Sequence, residues 1–320
     1  MCLRASFAGT RIVLKQVSPE SEHIYDFIIA LHKHSAGDYD SLAKEAGLSS
    51  SDLNAYLNYA AQFLGNLGNY KSFGDSKFVP RIEARQLKAL ATVSPKTLEL
   101  YEKFKDIIYT GSDVAKLHLG YPSSGHVSTY YPDSPDITKE EIAGVSDFLE
   151  SKGLLPENTR IRKTKEGFDV LIASALDNPS SEQRDLEESE WTLEDGQRVK
   201  LVFGDHSKEM KTIADHLEKA KGYAANSNED KMMDEYVKSF RTGSLEAFKE
   251  SQRAWIQDKG PMVESDIGFI ETYRDPHVSR PFPYVASRVS EDITKFWREA
   301  KTIDLARQSP TVSARGHYTL

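Results

Sequence analysis

The feature that most constrains this chain is a change in its hydrophobic rhythm at Arg160, midway through 320 residues. Before that point apolar residues recur every three or four positions, the spacing of one face of a helix. Ser18-Pro19 reads as an N-cap followed by a first-turn proline, opening a helix over "ESEHIYDFIIALHKH". Leu53, Tyr56, Leu57 and Ala60 share a face of the next helix, which Gly65 and Gly68 bring to an end. Ser94-Pro95 repeats the start signal for a helix carrying Leu100, Phe104, Ile107 and Ile108, and Thr138 with Glu141 forms a capping box for another. The opening segment "MCLRASFAGTRIVLKQ" reads as an internal helix cut at its start.

From Arg160 the period shortens to two. Lys165-Glu166-Gly167 sits between two extended runs and predicts a hairpin. Val199, Leu201 and Phe203 alternate along a further strand. Two amphipathic helices follow, one with Met210, Ile213, Ala214 and Leu217, the other with Met233, Tyr236, Val237 and Phe240. A last strand begins at Val263. Helices first, then strands mixed with helices, specify an α+β fold rather than a doubly wound sheet. At Val278 the texture changes again: the acidic pattern is lost, and apart from one helix capped by Ser290 the rest reads as a loose tail.

Composition narrows the classes of function. With 39% hydrophobic and 28% charged residues the chain is a soluble globular protein, and no apolar run is long enough to cross a bilayer. A net charge of −8 without a concentrated basic face argues against nucleic acid as a partner. Cys2 is the only cysteine, so there is no intramolecular disulfide and no cysteine-based zinc site, and the cytoplasm is the expected compartment. The acidic run "SEQRDLEESEWTLEDG" reads as a solvated loop.

Chemistry is harder to find. None of the nine histidines falls in an HExxH pair, the spacing that puts two imidazoles on one helical face. His118 and His126 flank a glycine-containing loop that can bring them together, but no third ligand accompanies them. "SFGDSKFVPR" lacks the glycine spacing of a phosphate loop, and no G-x-S-x-G elbow is present. Asp205 and His206 close a strand just before a helix, where Ser207 reads as an N-cap. The stretch "GPMVESDIGFIETYRDPH" remains: apolar residues interleaved with Glu264, Asp266, Glu271 and Asp275, as on a strand that carries carboxylates into a site.

Three stretches in order, "FLGNLGNYKSFGDSKFVPR", "HLGYPSSGHVSTYYP" and "DKGPMVESDIGFIETYRDPH", resemble the dipeptidyl peptidase III family, in a style similar to its fungal branch. The resemblance covers roughly residues 3–277. It implies a lower lobe built on a small five-stranded β-barrel flanked by helices, from a zinc enzyme that removes dipeptides from the free N-terminus of short peptides. In that family the zinc sits on an upper helical lobe, bound through an H-E-x-x-G-H motif and a later E-E-C-R-A-[DE] motif. Neither motif occurs in these 320 residues, so the upper lobe is expected to be absent, with no zinc and no catalytic residue in this chain. The expected division is a lower-lobe region over 1–277 and a divergent tail over 278–320, as in a fragment.

By the same resemblance Glu264 lines the substrate cleft and pairs with the α-ammonium of a peptide. An anionic acceptor in a partly dehydrated cleft is suited to selecting a charged N-terminus. Two residues later the family commonly has tyrosine or an amide, and this chain has Asp266, a second negative charge at the substrate-binding strand. The structural alternative is that Glu264 pairs with a neighbour such as Arg274. A non-catalytic module that holds peptides or a protein partner is the alternative function, and a plain helical scaffold ranks last.

Overall fold

The structure, a computed structural model, describes residues 1–72, 74–109, 113–259, 263–271, 274–277 and 282–289, with backbone alone at 263, 264, 270, 271 and 282–289. The chain forms two compact units, one of Leu14–Gly120 with Ser124–Thr129, the other of Met1–Val13, Tyr121–Ser123 and the described residues from Tyr130 onward. Helix α1 (Cys2–Val17) runs from the second into the first, and the helix expected from the opening segment is present.

The first unit is helical. Helices α2 (Ser21–Ser35), α3 (Tyr39–Glu45), α4 (Ser50–Asn66), α5 (Ala84–Ala91) and α6 (Pro95–Glu102) close around Phe27, Leu31, Tyr56, Phe63, Leu90, Leu100 and Phe104. Burying each such side chain contributes about 1.5–3 kcal/mol. The Phe27 and Phe104 rings meet edge to face at 5.3 Å, a geometry that their quadrupoles favour. Ser94 caps α6 as the sequence predicts, with Thr97 completing a reciprocal box. The start of α2 differs. Its N-cap is Glu20, with no side-chain cap, because Ser18 turns elsewhere: its Oγ donates to Oδ1 of Asn69 at 2.8 Å. A partner 51 positions away is invisible to a local capping rule.

That bond belongs to a buried polar knot. Asn69 Nδ2 donates to Glu20 Oε1 at 2.7 Å, and Lys77 Nζ reaches the same oxygen at 2.9 Å. Both charged side chains of the Glu20–Lys77 pair are nearly sealed, at 6% and 7% exposure. Lys77 Nζ also donates to the Ile107 carbonyl at 2.5 Å and lies 5.6 Å above the Tyr70 ring. Buried charges persist only where they are paired and hydrogen-bonded, and this pair has both.

The second unit is mixed. Helix α7 (Lys139–Ser151) begins with the expected Thr138–Glu141 box and packs Ile142, Val145 and Leu149 onto the sheet residues Ile161, Phe168, Val170, Val199 and Leu201. Strands β1 (Thr159–Lys163) and β2 (Gly167–Ala173) form the predicted hairpin. They join β3 (Glu190–Thr192) and β4 (Arg198–Asp205) in a sheet of order β1-β2-β4-β3, with β2 and β4 parallel. Helices α8 (Ser207–Lys221), α9 (Ser227–Thr242) and α10 (Leu245–Trp255) enclose a second core of Met210, Leu217, Met233, Tyr236, Phe240 and Ile267. Strand β5 (Val263–Glu271) pairs antiparallel with β6 (Phe282–Val289).

The fold is α+β as read from the sequence. The strand count is different: among the described residues the strands form a four-stranded mixed sheet and a separate two-stranded ladder rather than five strands in one small barrel. β6 lies in the segment expected to be tail. Pro281 and Pro283 hide it, since proline removes a ladder donor and argues against a strand, although it is tolerated at an edge. The helix expected from Ser290 lies outside the described residues. The acidic loop is also less solvated than expected, because Asp185 caps α10: its carboxylate accepts the Ser244 hydroxyl at 2.5 Å and the Leu245 N–H at 2.6 Å.

Candidate functional site

Two of the three distinctive stretches meet in the helical unit, and they do so through backbone. Lys77 N donates to the Leu117 carbonyl at 2.7 Å and Leu119 N to the Asp75 carbonyl at 2.9 Å, with further bridges between Ser76 and His118 and between Leu119 and Val127. Tyr70 Oη donates to the Lys116 carbonyl at 2.7 Å. The result is a platform of irregular segments in which main-chain groups are satisfied without a regular sheet. The loop does bring His118 and His126 together, with ring centroids 6.1 Å apart. Gly120 makes this possible, since a Cβ at that position would overlap the His126 ring.

The third stretch is β5, in the mixed unit. Its Ile267 and Phe269 are buried in the core beneath α8–α10. Gly268 is required by the close approach of α10: a Cβ there would overlap the Phe248 ring. Glu264 stands on β5 in register with Arg288, and its side chain lies outside the described residues. Asp266 is half-buried, and its Oδ1 lies 3.4 Å from Oη of Tyr236 on α9. Tyr236 is itself fully buried. Gln252 Nε2 donates to Tyr236 Oη at 2.9 Å, and the Ile267 N–H does so at 3.4 Å. Burial, and then the Asp266 charge, push the Tyr236 hydroxyl pKa well up, so the group remains a donor at neutral pH.

Arg274 and Asp275 are both buried. Asp275 Oδ1 accepts the Tyr131 hydroxyl at 2.6 Å and the His277 N–H at 3.1 Å, a link over 144 positions that fixes the end of the stretch to the start of the mixed unit. The pair at the end of β4 also has a structural explanation, though not the one read from sequence. Asp205 forms a two-pronged bond with Arg160, Nε to Oδ2 at 2.7 Å and Nη2 to Oδ1 at 2.5 Å. His206, with φ of 53°, takes the cap position before α8, and Ser207 is the first helical residue.

Among the described residues no three His, Cys, Asp or Glu side chains gather where they can share a cation, and the His118–His126 pair stands without a third ligand. The described residues do not fit a zinc site of the kind that needs three protein ligands. Among the same residues no helix is long and apolar enough to cross a membrane.

Comparison with known proteins identifies the group to which these features belong. The model of peptidase family M49 matches residues 100–297, which take in the second and third stretches and run past the boundary expected at residue 277. The chain belongs to peptidase family M49. This is a metallopeptidase family, and the relatives carry the name read from the three stretches. The chain is 40% identical to mouse dipeptidyl peptidase 3 over 292 residues, covering 87% of this chain and 39% of that one. It is 39% identical to dipeptidyl peptidase 3 of Dictyostelium discoideum over 276 residues, covering 85% of this chain and 38% of that protein. A solved dipeptidyl peptidase III from Corallococcus sp. strain EGB is similar at 14% identity and a TM-score of 0.41, covering 96% of this chain and 42% of the other. The M49 chain described here thus spans about two fifths of the length of the curated relatives it matches.

The Tyr236 hydroxyl and the Tyr131–Asp275 link are the parts of this region that the sequence reading missed. Tyr236 falls on the apolar face of its helix with Met233, Val237 and Phe240, where a tyrosine reads as core. Its ring is core. Its hydroxyl is not, and a buried tyrosine oxygen that must find partners is the signal that points to a polar group nearby.

Proposed function

We propose that this chain is the peptide-holding part of a dipeptidyl peptidase III-like protein, whose activity in the family is zinc-dependent release of N-terminal dipeptides from short peptides. The observation that carries the reading is the M49 match across residues 100–297, which includes the whole of β5 and its Glu264. Glu264 is the acceptor for the free N-terminal ammonium of a short peptide, and Asp266 lies two positions along the same strand. The holding region is residues 1–277, followed by a divergent tail over 278–320, and the protein works in the cytoplasm, without nucleic acid or membrane as a partner. The described residues assemble no three-ligand metal site, which favours the reading that these 320 residues hold peptide without hydrolysing it. The same observation supports the second reading, a non-catalytic peptide- or protein-binding module.

Elemental analysis and an activity assay test this reading together. The purified, dialysed chain is expected to hold far less than one zinc per molecule. It is also expected to release no dipeptide from an N-terminal dipeptidyl reporter above the buffer blank, with or without added zinc. One zinc per chain together with chelator-sensitive turnover contradicts the proposal and points back to the loop that carries His118 and His126.

A further inference from the structure

The two carboxylates of β5 raise a question of specificity, since a strand carrying Glu264 and Asp266 offers a cationic N-terminus two anionic positions. The hydrogen bonds around Tyr236 separate them. A phenol oxygen has one proton to give and two lone pairs to accept with. Both lone pairs are claimed by groups that can only donate, the Gln252 side-chain N–H at 2.9 Å and the Ile267 backbone N–H at 3.4 Å. The single proton is directed at Asp266 Oδ1 at 3.4 Å, with the Ser251 hydroxyl as a further neighbour of the phenol. Tyr236 is fully buried, so water does not compete for that proton. Gln252 and Tyr236 lie on adjacent helices, and Gly268 lets α10 close down on the strand, which holds this arrangement in place.

We infer that Tyr236 is a positioning residue that ties Asp266 into the helical layer and leaves recognition of the peptide ammonium to Glu264 alone. The specificity part of this inference rests on the peptide-anchoring reading above, whereas the tie between Tyr236 and Asp266 stands independently of it. Asp266 is then not a second anchor. It is held toward the buried hydroxyl, and substituting it leaves the preference for a free N-terminus in place.

The test has two arms on the full 320-residue chain. In the first, side-chain carboxyl ¹³C shifts follow the titration of Asp266. Tyr236→Phe removes the donor to the charged form, and the midpoint is expected to rise by about one pH unit. An unchanged midpoint overturns the tie. In the second, tetra-alanine and its N-acetyl form are titrated against wild type and Asp266→Asn, a variant that removes the charge and keeps the side chain's shape and an acceptor oxygen for Tyr236. The ratio of the two affinities is expected to stay within about twofold of wild type. Collapse of that ratio in Asp266→Asn overturns the assignment of the anchor to Glu264 alone. If wild type shows no preference at all, the anchoring reading and the specificity assignment both fail, and the first arm still decides whether Tyr236 holds Asp266.

Discussion

Replacing Lys77 by methionine is expected to destabilise the helical unit by about 3–5 kcal/mol. The substitution preserves the stem of the side chain and deletes the ammonium, stranding the Glu20 carboxylate at 6% exposure with only Asn69 to bond it. The Ile107 carbonyl loses its donor as well. A charge left buried without its partner is among the most costly single defects a fold can carry. The three tryptophans of the chain, Trp191, Trp255 and Trp297, all fall outside the sequence of the helical unit, so their fluorescence does not report the change directly. Far-UV circular dichroism in urea does, through the loss of α2–α6. Adding Glu20→Gln to Lys77→Met is expected to recover a large part of the loss. A penalty below about 1 kcal/mol for Lys77→Met alone means that the pair is solvated and the knot is not a buried one.

The second large effect is expected at Asp205. Asp205→Ala leaves the Arg160 guanidinium, 16% exposed, without the carboxylate that grips it at both oxygens. A loss of about 3–5 kcal/mol from the mixed unit follows, read by tryptophan fluorescence in urea. Acid adds a second signature. Burial raises the pKa of Asp205, but the Arg160 hydrogen bonds and the charges of His206 and Arg160 outweigh it and bring the carboxyl below its ordinary 3.8. A depressed folded pKa means that the unfolded state binds the proton more readily. The contribution is therefore fully present above the unfolded value and is lost as pH falls below 3.8 through the folded value. In Asp205→Ala that part of the acid sensitivity is expected to be missing, so the stability gap between variant and wild type narrows below pH 3.8. A gap that stays constant into acid contradicts the assignment.

What the sequence made legible is local. The Ser94 and Thr138 capping boxes, the Lys165–Gly167 hairpin and the apolar faces of α8 and α9 depend on residues within a few positions of one another, and all are where the pattern puts them. What it hid is long-range. Ser18 reads as a helix cap and instead bonds Asn69, Asp185 reads as solvated and instead caps α10, and Asp205 reads only as the end of a strand and also holds Arg160. In each case a polar side chain meets a partner 45 to 60 positions away, and no periodicity encodes that distance. The strand β6 was hidden for a different reason, because Pro283 and the Pro281 just before it outweigh its Tyr284, Val285 and Val289 in any propensity reading. The candidate site falls between these cases. The β5 stretch is visible as interleaved carboxylates and apolar residues, whereas the Tyr236 hydroxyl that divides its two carboxylates appears only when α9 is laid beside the strand.

The claim on which the rest depends is that Glu264 selects a free peptide N-terminus, and a direct measurement is NMR titration of wild type and Glu264→Gln with a short peptide in free and N-acetylated forms. Wild type is expected to bind the free form weakly, with a Kd on the order of millimolar. The margin over the acetylated form should be about fivefold, the equivalent of ~1 kcal/mol for one partly dehydrated charge pair. Glu264→Gln is expected to bind the two forms equally, at the level of the acetylated peptide. Equal binding by wild type, or an undiminished preference in Glu264→Gln, contradicts the claim.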